Sequence, residues 1–189
     1  MIYFAFLVLV KIAFSQNVEY EKFQKFVQSP NGCVLNINVK HSYFDKTVVS
    51  SGVFYAKDKM YIYDNEEQYI KYDNKYITTI NKIHKQVVYD IINESNVTIF
   101  DILSGNNHSI HFSRSFYEKD QVCIPFHIDL WGIQGSIWTS SVDGSPLKIK
   151  FIQEKDITAQ IDINSSTISS NYNPPVYDVS DYEVISLID

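Results

Sequence analysis

The run from Val48 to Gly105 constrains this chain most, because short apolar and aromatic segments follow one another there with almost no helix between them. Val48–Ala56, Lys59–Tyr63, Gln68–Tyr72, Lys75–Ile80 and Gln86–Ile92 each read as a strand, joined by a few polar residues. Strands joined so tightly pair antiparallel, since a parallel return needs a crossover of about a dozen residues or more. Only Thr98–Gly105 then reads as a helical turn. A meander of this kind curls into a sheet with two distinct faces, and the turn is well placed to cover the concave one. That geometry suits a container for something apolar.

The flanks extend the same pattern. Val18–Gln28 is predicted as a helix, with Val18, Phe23, Phe26 and Val27 on one side and Glu19, Glu21, Lys22, Gln24 and Lys25 on the other. Ser29-Pro30-Asn31-Gly32 ends it. Cys33–Tyr43 then alternates, with Leu35, Ile37 and Val39 on one face and Asn36, Asn38 and Lys40 on the other, as a half-buried strand does. After a polar stretch without clear period, Asn106–Glu118, four more strands are expected at Gln121–Leu130, Gly135–Val142, Leu147–Gln153 and Ile157–Ile163. Their connections hold turn-forming residues such as Asp143-Gly144-Ser145-Pro146. The tail, with Asn173-Pro174-Pro175 and many acidic residues, reads as an extended surface segment.

The first residues read as an export signal. Ile2–Val10 is wholly apolar, and Ala13-Phe14-Ser15 offers the small residues that a signal peptidase reads, so residues 1–15 are expected to be removed. The run is too short to span a bilayer, which takes about 20 apolar residues. No lipid-accepting Cys stands behind the expected cleavage point, and the first is Cys33. The expected product is an exported, unlipidated, soluble monomer with a single domain over residues 16–168 and a tail over 169–189. Cys33 and Cys123 either form one long-range disulfide or remain two buried thiols; the sequence leaves both open.

Composition and spacing exclude several chemistries. The net charge of −6, without a basic run, argues against nucleic acid as a partner. His108 and His111 stand at a metal-like spacing without a carboxylate or thiolate at ligand distance, and read as a polar loop. Ser136, Ser140 and Ser141 lack the glycine context of a nucleophile elbow, and Glu66-Glu67 reads as solvated charge at a turn. Asn93, Asn96, Asn107 and Asn164 each open an Asn-x-Ser/Thr triplet, which matters only in a eukaryotic secretory pathway. No cofactor, metal or enzymatic activity is expected.

The order of motifs resembles that of the LolA family of periplasmic outer-membrane lipoprotein carriers. Ser51-Gly52-Val53-Phe54-Tyr55 stands where the family has a Ser-Gly before a Phe-Tyr strand. Tyr69–Ile77 with its turn at Asp73-Asn74-Lys75, then Lys85-Gln86-Val87, follow in the family's order. So do Gly135-Ser136-Ile137, Val142-Asp143, Pro146–Ile149 and Asp156. The resemblance covers roughly Val18–Ile168. It implies a mainly β fold: an incomplete, strongly bent antiparallel half-barrel with an N-terminal helix and a helical lid. It further implies a soluble periplasmic protein that shelters the acyl chains of lipoproteins, or free lipid, in an apolar cavity. An inner-membrane lipoprotein-releasing transporter would load it, and an outer-membrane acceptor would receive the cargo. Where the family carries Lys-Arg-Pro this chain has Lys57-Asp58-Lys59, so an arginine-based release is not implied. The alternative on the same architecture is a module that binds or senses lipid or lipoprotein without shuttling it.

The candidate cavity residues are Leu35, Ile37, Val39, Phe54, Ile62, Ile70 and Ile137 from the strands. Ile99, Phe100 and Leu103 are expected on the inner side of the lid, where spacings of three and four residues bring them together. Alternation alone does not say which face of each strand points inward, since a one-residue slip exchanges the two.

Overall fold

The computed structural model describes residues 17–91, 98–105, 110–154 and 157–188, and the expected export signal lies outside them. Helix α1, Val18–Val27, is capped by Asn17, whose side chain accepts a hydrogen bond from the Tyr20 amide at 3.2 Å. Tyr20, Phe23 and Val27 form its buried stripe at i, i+3 and i+7. Val18, expected on that stripe, stands off this row and is exposed.

Strand β1, Cys33–Tyr43, is the axis of the sheet. On one side it pairs with β2 (Lys46–Lys57), and the meander continues through β3 (Met60–Asn65), β4 (Gln68–Tyr72), β5 (Tyr76–Asn81) and β6 (Gln86–Ile91). On the other side it pairs with β12 (Ile157–Ile168), then β11 (Pro146–Glu154), β10 (Ile133–Ser140) and β9 (Gln121–Ile128). All these pairings are antiparallel. The far edge carries two short strands, β7 (His111–Phe112) and β8 (Phe116–Glu118), drawn from the stretch that shows no period in sequence. The result is a non-closed sheet of 13 strands with helices on its inner face, an incomplete half-barrel.

Register explains the core. Ile124, Ile137, Ile149, Ile161 and Val39 stand directly opposite one another across β9, β10, β11, β12 and β1, and all are buried. A second row runs Leu35, Phe54, Tyr63, Ile70 from β1 to β4. Burying such side chains contributes roughly 1.5–3 kcal/mol each. Helix α2, Ile99–Leu103, lies on this surface with Ile99, Phe100, Ile102 and Leu103 buried. Its end is tied to α1, because Gln24 and Gln28 both donate side-chain hydrogen bonds to the Gly105 carbonyl, at 2.9 and 3.0 Å. Gly105 follows the helix with φ +71°, the left-handed position that ends many helices.

The tail does more than trail over the surface. Residues 169–188 run back across the outer face, and β13, Glu183–Ser186, joins β6 in parallel. Tyr177, Val179 and Tyr182 pack on a second, outer cluster of Ile62, Tyr69, Ile80 and Val87. At β3 and β4 the sheet therefore packs apolar side chains on both faces, against α2 on one and the tail on the other. Cys33 and Cys123 are both buried and free, which settles the open alternative for thiols over a disulfide.

Candidate functional site

Of the ten candidate cavity residues, nine fall on the inner side. Leu35, Ile37, Val39, Phe54, Ile99, Phe100, Leu103 and Ile137 belong to the inner core, and Ile70 packs against it. Ile62 is the exception and lies in the outer cluster beneath the tail. Period-two alternation requires this, because Tyr61 and Tyr63 on either side of it point inward. Most of the inner residues are fully packed against α1 and α2, so the middle of the half-barrel is filled with the protein's own side chains. Space remains at the start of α2.

There, beyond Val39, the inner face continues into a cavity of about 280 Å³ between the sheet and the first residues of α2. His41 and Tyr43 from β1, Ile70 and Ile77 from β4 and β5, and Ile157 and Ala159 from β12 form its walls. Thr98, Ile99 and Phe100 form its roof. Ile70, Ile99 and Phe100 are thus the sequence candidates that reach this space. Phe151, Tyr61, Ile77 and the start of β12 are additions that sequence reasoning missed. His41 and Tyr43 continue the odd-numbered face of β1 that already held Leu35, Ile37 and Val39, so that alternation carried a usable signal.

The electrostatics of the cavity are those of a site for uncharged matter. Among the described residues its lining contains no Lys, Arg, Asp or Glu. Burial pushes the His41 imidazole below its ordinary range, which favours the neutral ring. Burial, with Asp101 nearby, pushes the Tyr61 phenol upward, so it stays protonated. The Asp101 carboxylate of the roof helix is spent on holding that helix. Asp101 accepts hydrogen bonds from the Thr98 amide at 2.6 Å and the Thr98 hydroxyl at 2.8 Å, while the Asp101 amide donates back to Thr98 Oγ1 at 3.2 Å. This reciprocal capping box fixes the first turn of α2. Tyr61 Oη, from the opposing wall, lies 3.4 Å from Thr98 Oγ1. The roof is held by packing, by this polar knot at its start and by the Gln24 and Gln28 hydrogen bonds at its end.

A larger groove of about 520 Å³ opens along β9 and β10, lined by Ser113, Pro125, His127, Asp129 and Gln134 among others. It is wider and more polar, and no helix roofs it. Beside it, His111 and His127 each place Nε2 3.6 and 3.5 Å from the Asp129 carboxylate. Among the described residues no group of three such side chains is arranged to hold a metal, and His108 lies outside them. The smaller, roofed, apolar cavity is the better candidate, because a pocket binds by enclosing apolar area with a few placed polar groups.

No protein-family model matches the chain, and no curated protein is similar to it in sequence. Solved structures do match it. A conserved protein from Thermus thermophilus superposes with a TM-score of 0.55 at 8% identity, over 89% of this chain and 97% of that one, and shares its fold. A LolA superfamily protein from Nitrosomonas europaea matches at a TM-score of 0.48 and 11% identity, over 84% of this chain and 94% of that one. An outer membrane lipoprotein-sorting protein domain from Vibrio parahaemolyticus matches at 0.46 and 7%, over 83% and 94%.

Proposed function

We propose that this protein binds the hydrocarbon chain of an amphiphile in the cavity beneath α2, and acts as an exported carrier for acylated lipoproteins or free lipid. The observation that supports this most is the apolar space, without a charged side chain among the described residues, between the inner face of the sheet and a short helix held by side-chain packing, a capping box and hydrogen bonds from α1. Transfer of an acyl chain into water costs about 0.8 kcal/mol per CH₂, so a lipid cargo leaves a membrane only into such a shelter. Opening the roof breaks no covalent bond, and reclosing it restores the same contacts. Among the described residues no helix is long and apolar enough to cross a membrane. The carrier reading adds a periplasmic location, a releasing transporter as donor and an outer-membrane acceptor.

The size of the cavity favours one hydrocarbon chain in the closed state, since ligand pockets usually run from about 300 to 1,000 Å³. A cargo with several chains requires α2 to move out of the half-barrel. This gives weight to the second reading, a lipid-binding or sensing module that does not shuttle. Native mass spectrometry of the protein taken from its own cell envelope separates the readings. An acylated protein bound to it supports the carrier, a single-chain lipid supports the binding module, and a ligand-free protein that also ignores cis-parinaric acid overturns both.

A further inference from the structure

The turn joining β1 to β2 departs from what a surface hairpin needs for its own stability. Two residues, Phe44 and Asp45, close it between the paired Tyr43 and Lys46. Phe44 has φ +53°, in the left-handed region that Gly, Asn or Asp occupy at least cost. A bulky aromatic there is strained, and its side chain is 78% exposed, so it gains no burial in return. Val48 is 63% and Val49 55% exposed beside it, and Tyr43 is 50% exposed. Strain and exposed apolar surface coincide at one tip, and strain kept at one place is a reason to look for function there.

The disposition of these side chains indicates what covers them. Val48 stands opposite His41 and shares the inner face with Tyr43, whereas Val49 stands opposite Lys40 on the outer face. A protein groove covers one face of a hairpin; a tip that exposes a large apolar side chain on each face, with an aromatic at its end, suits immersion in a fluid apolar phase. Its charges, Asp45 and Lys46, cancel, while the chain as a whole carries −6. A zwitterionic lipid surface fits this balance and an anionic one opposes it. The tip is also continuous with the cavity, because Tyr43 lines both.

We infer that the Tyr43–Val49 hairpin tip is a bilayer-docking element that enters a zwitterionic phospholipid interface and brings the mouth of the cavity against it. Its use in loading a chain rests on the function proposed above; docking itself does not.

The test pairs flotation with phosphatidylcholine vesicles and, separately, binding of cis-parinaric acid without vesicles. The variant is Phe44→Asn with Val48→Thr and Val49→Thr. Asn tolerates the left-handed turn and Thr keeps strand propensity, so the fold should hold, with the melting temperature as control. The parent should float with the vesicles, the variant should lose about tenfold or more in vesicle affinity, and both should bind the fatty acid alike. A parent that does not float, a variant that floats equally well, or binding confined to anionic phosphatidylglycerol vesicles overturns docking. A parent that floats but ignores the fatty acid leaves docking standing and overturns the cavity instead.

Discussion

The ring of Phe100, on the roof helix, stacks on that of Tyr63 in β3 with centroids 4.5 Å apart and planes 28° from parallel. Tyr63 reaches that position because residue 52 is glycine: a Cβ there would lie 2.8 Å from the Tyr63 ring and 2.4 Å from the Asp64 carbonyl oxygen. The Ser-Gly before the Phe-Tyr strand, noticed as a sequence motif, has a packing reason here. Phe100 also stacks on Phe54 at 6.0 Å.

Phe100→Ala removes both stacks and leaves a void. It should cost about 3 kcal/mol in urea unfolding, toward the lower end of aromatic-to-alanine losses because Phe100 already borders empty space. Gly52→Ala should cost about 1–3 kcal/mol by forcing Tyr63 and the backbone of β3 aside. If Gly52→Ala is neutral, the glycine does not hold the roof contact in place.

The capping box gives a pH signature. Burial pushes the Asp101 carboxyl upward, against the lowering pull of its bonds from Thr98. A raised carboxyl binds its proton better folded than unfolded. The stability tied to that proton is fully present below the unfolded value of about 3.9, and is lost as pH rises through the raised folded value. Asp143 and Asp162 are shifted downward and run the opposite way, losing stability as pH falls. Comparing the parent with Asp101→Asn cancels those shared terms. In paired urea melts the parent should gain on the variant as pH falls from neutral toward about 4. Thr98→Ala should cost about 1 kcal/mol through the lost cap.

Much of the architecture could be read from the chain, and the failures have physical causes. β1 and β4 have the expected ends because clean alternation and turn residues bound them. Ile62, expected on the cavity face, lies on the outer one, since Tyr61-Ile62-Tyr63 is apolar throughout and gives no alternation to read; it is so because the tail covers the outer side. The tail strand was illegible for a related reason. Four residues, Glu183–Ser186, pair in parallel with a strand nearly a hundred positions upstream, and no local period encodes such a partner. The cavity itself sits where two distant strand ends, His41–Tyr43 and Ile157–Ala159, meet opposite the roof, a relation that only register fixes.

The tail is held by a specific knot. Tyr177 donates its hydroxyl hydrogen to the Asp64 carboxylate, with the two oxygens at 2.9 and 3.0 Å. Lys82 reaches the same carboxylate at 2.6 Å and sits 4.4 Å over the Tyr177 ring. Tyr177→Phe should cost about 1 kcal/mol for the hydrogen bond. Tyr177→Ala should cost more, because it also uncovers the outer cluster, and should speed native-state amide exchange along β6 and β13. Unchanged exchange there would mean that the tail is anchored elsewhere.

The most direct check on the candidate site compares two isoleucines that look alike in sequence. Ile137 is fully buried in the packed row of the inner face, whereas Ile70 is only half buried and borders the cavity. Enlarging the first meets neighbours on every side, so Ile137→Trp should overpack the core and cost about 1–3 kcal/mol, with little direct effect on ligand. Ile70→Trp places its added volume in space that the protein leaves empty, and should cost under about 1 kcal/mol. It should also weaken cis-parinaric acid binding by about tenfold or more, since it occupies the volume that the chain would enter. Measuring stability and binding on both variants separates a cavity from a loosely packed core. If Ile70→Trp destabilises as much as Ile137→Trp while fatty-acid binding persists, the hydrocarbon chain sits elsewhere, and the groove along β9 and β10 becomes the place to look.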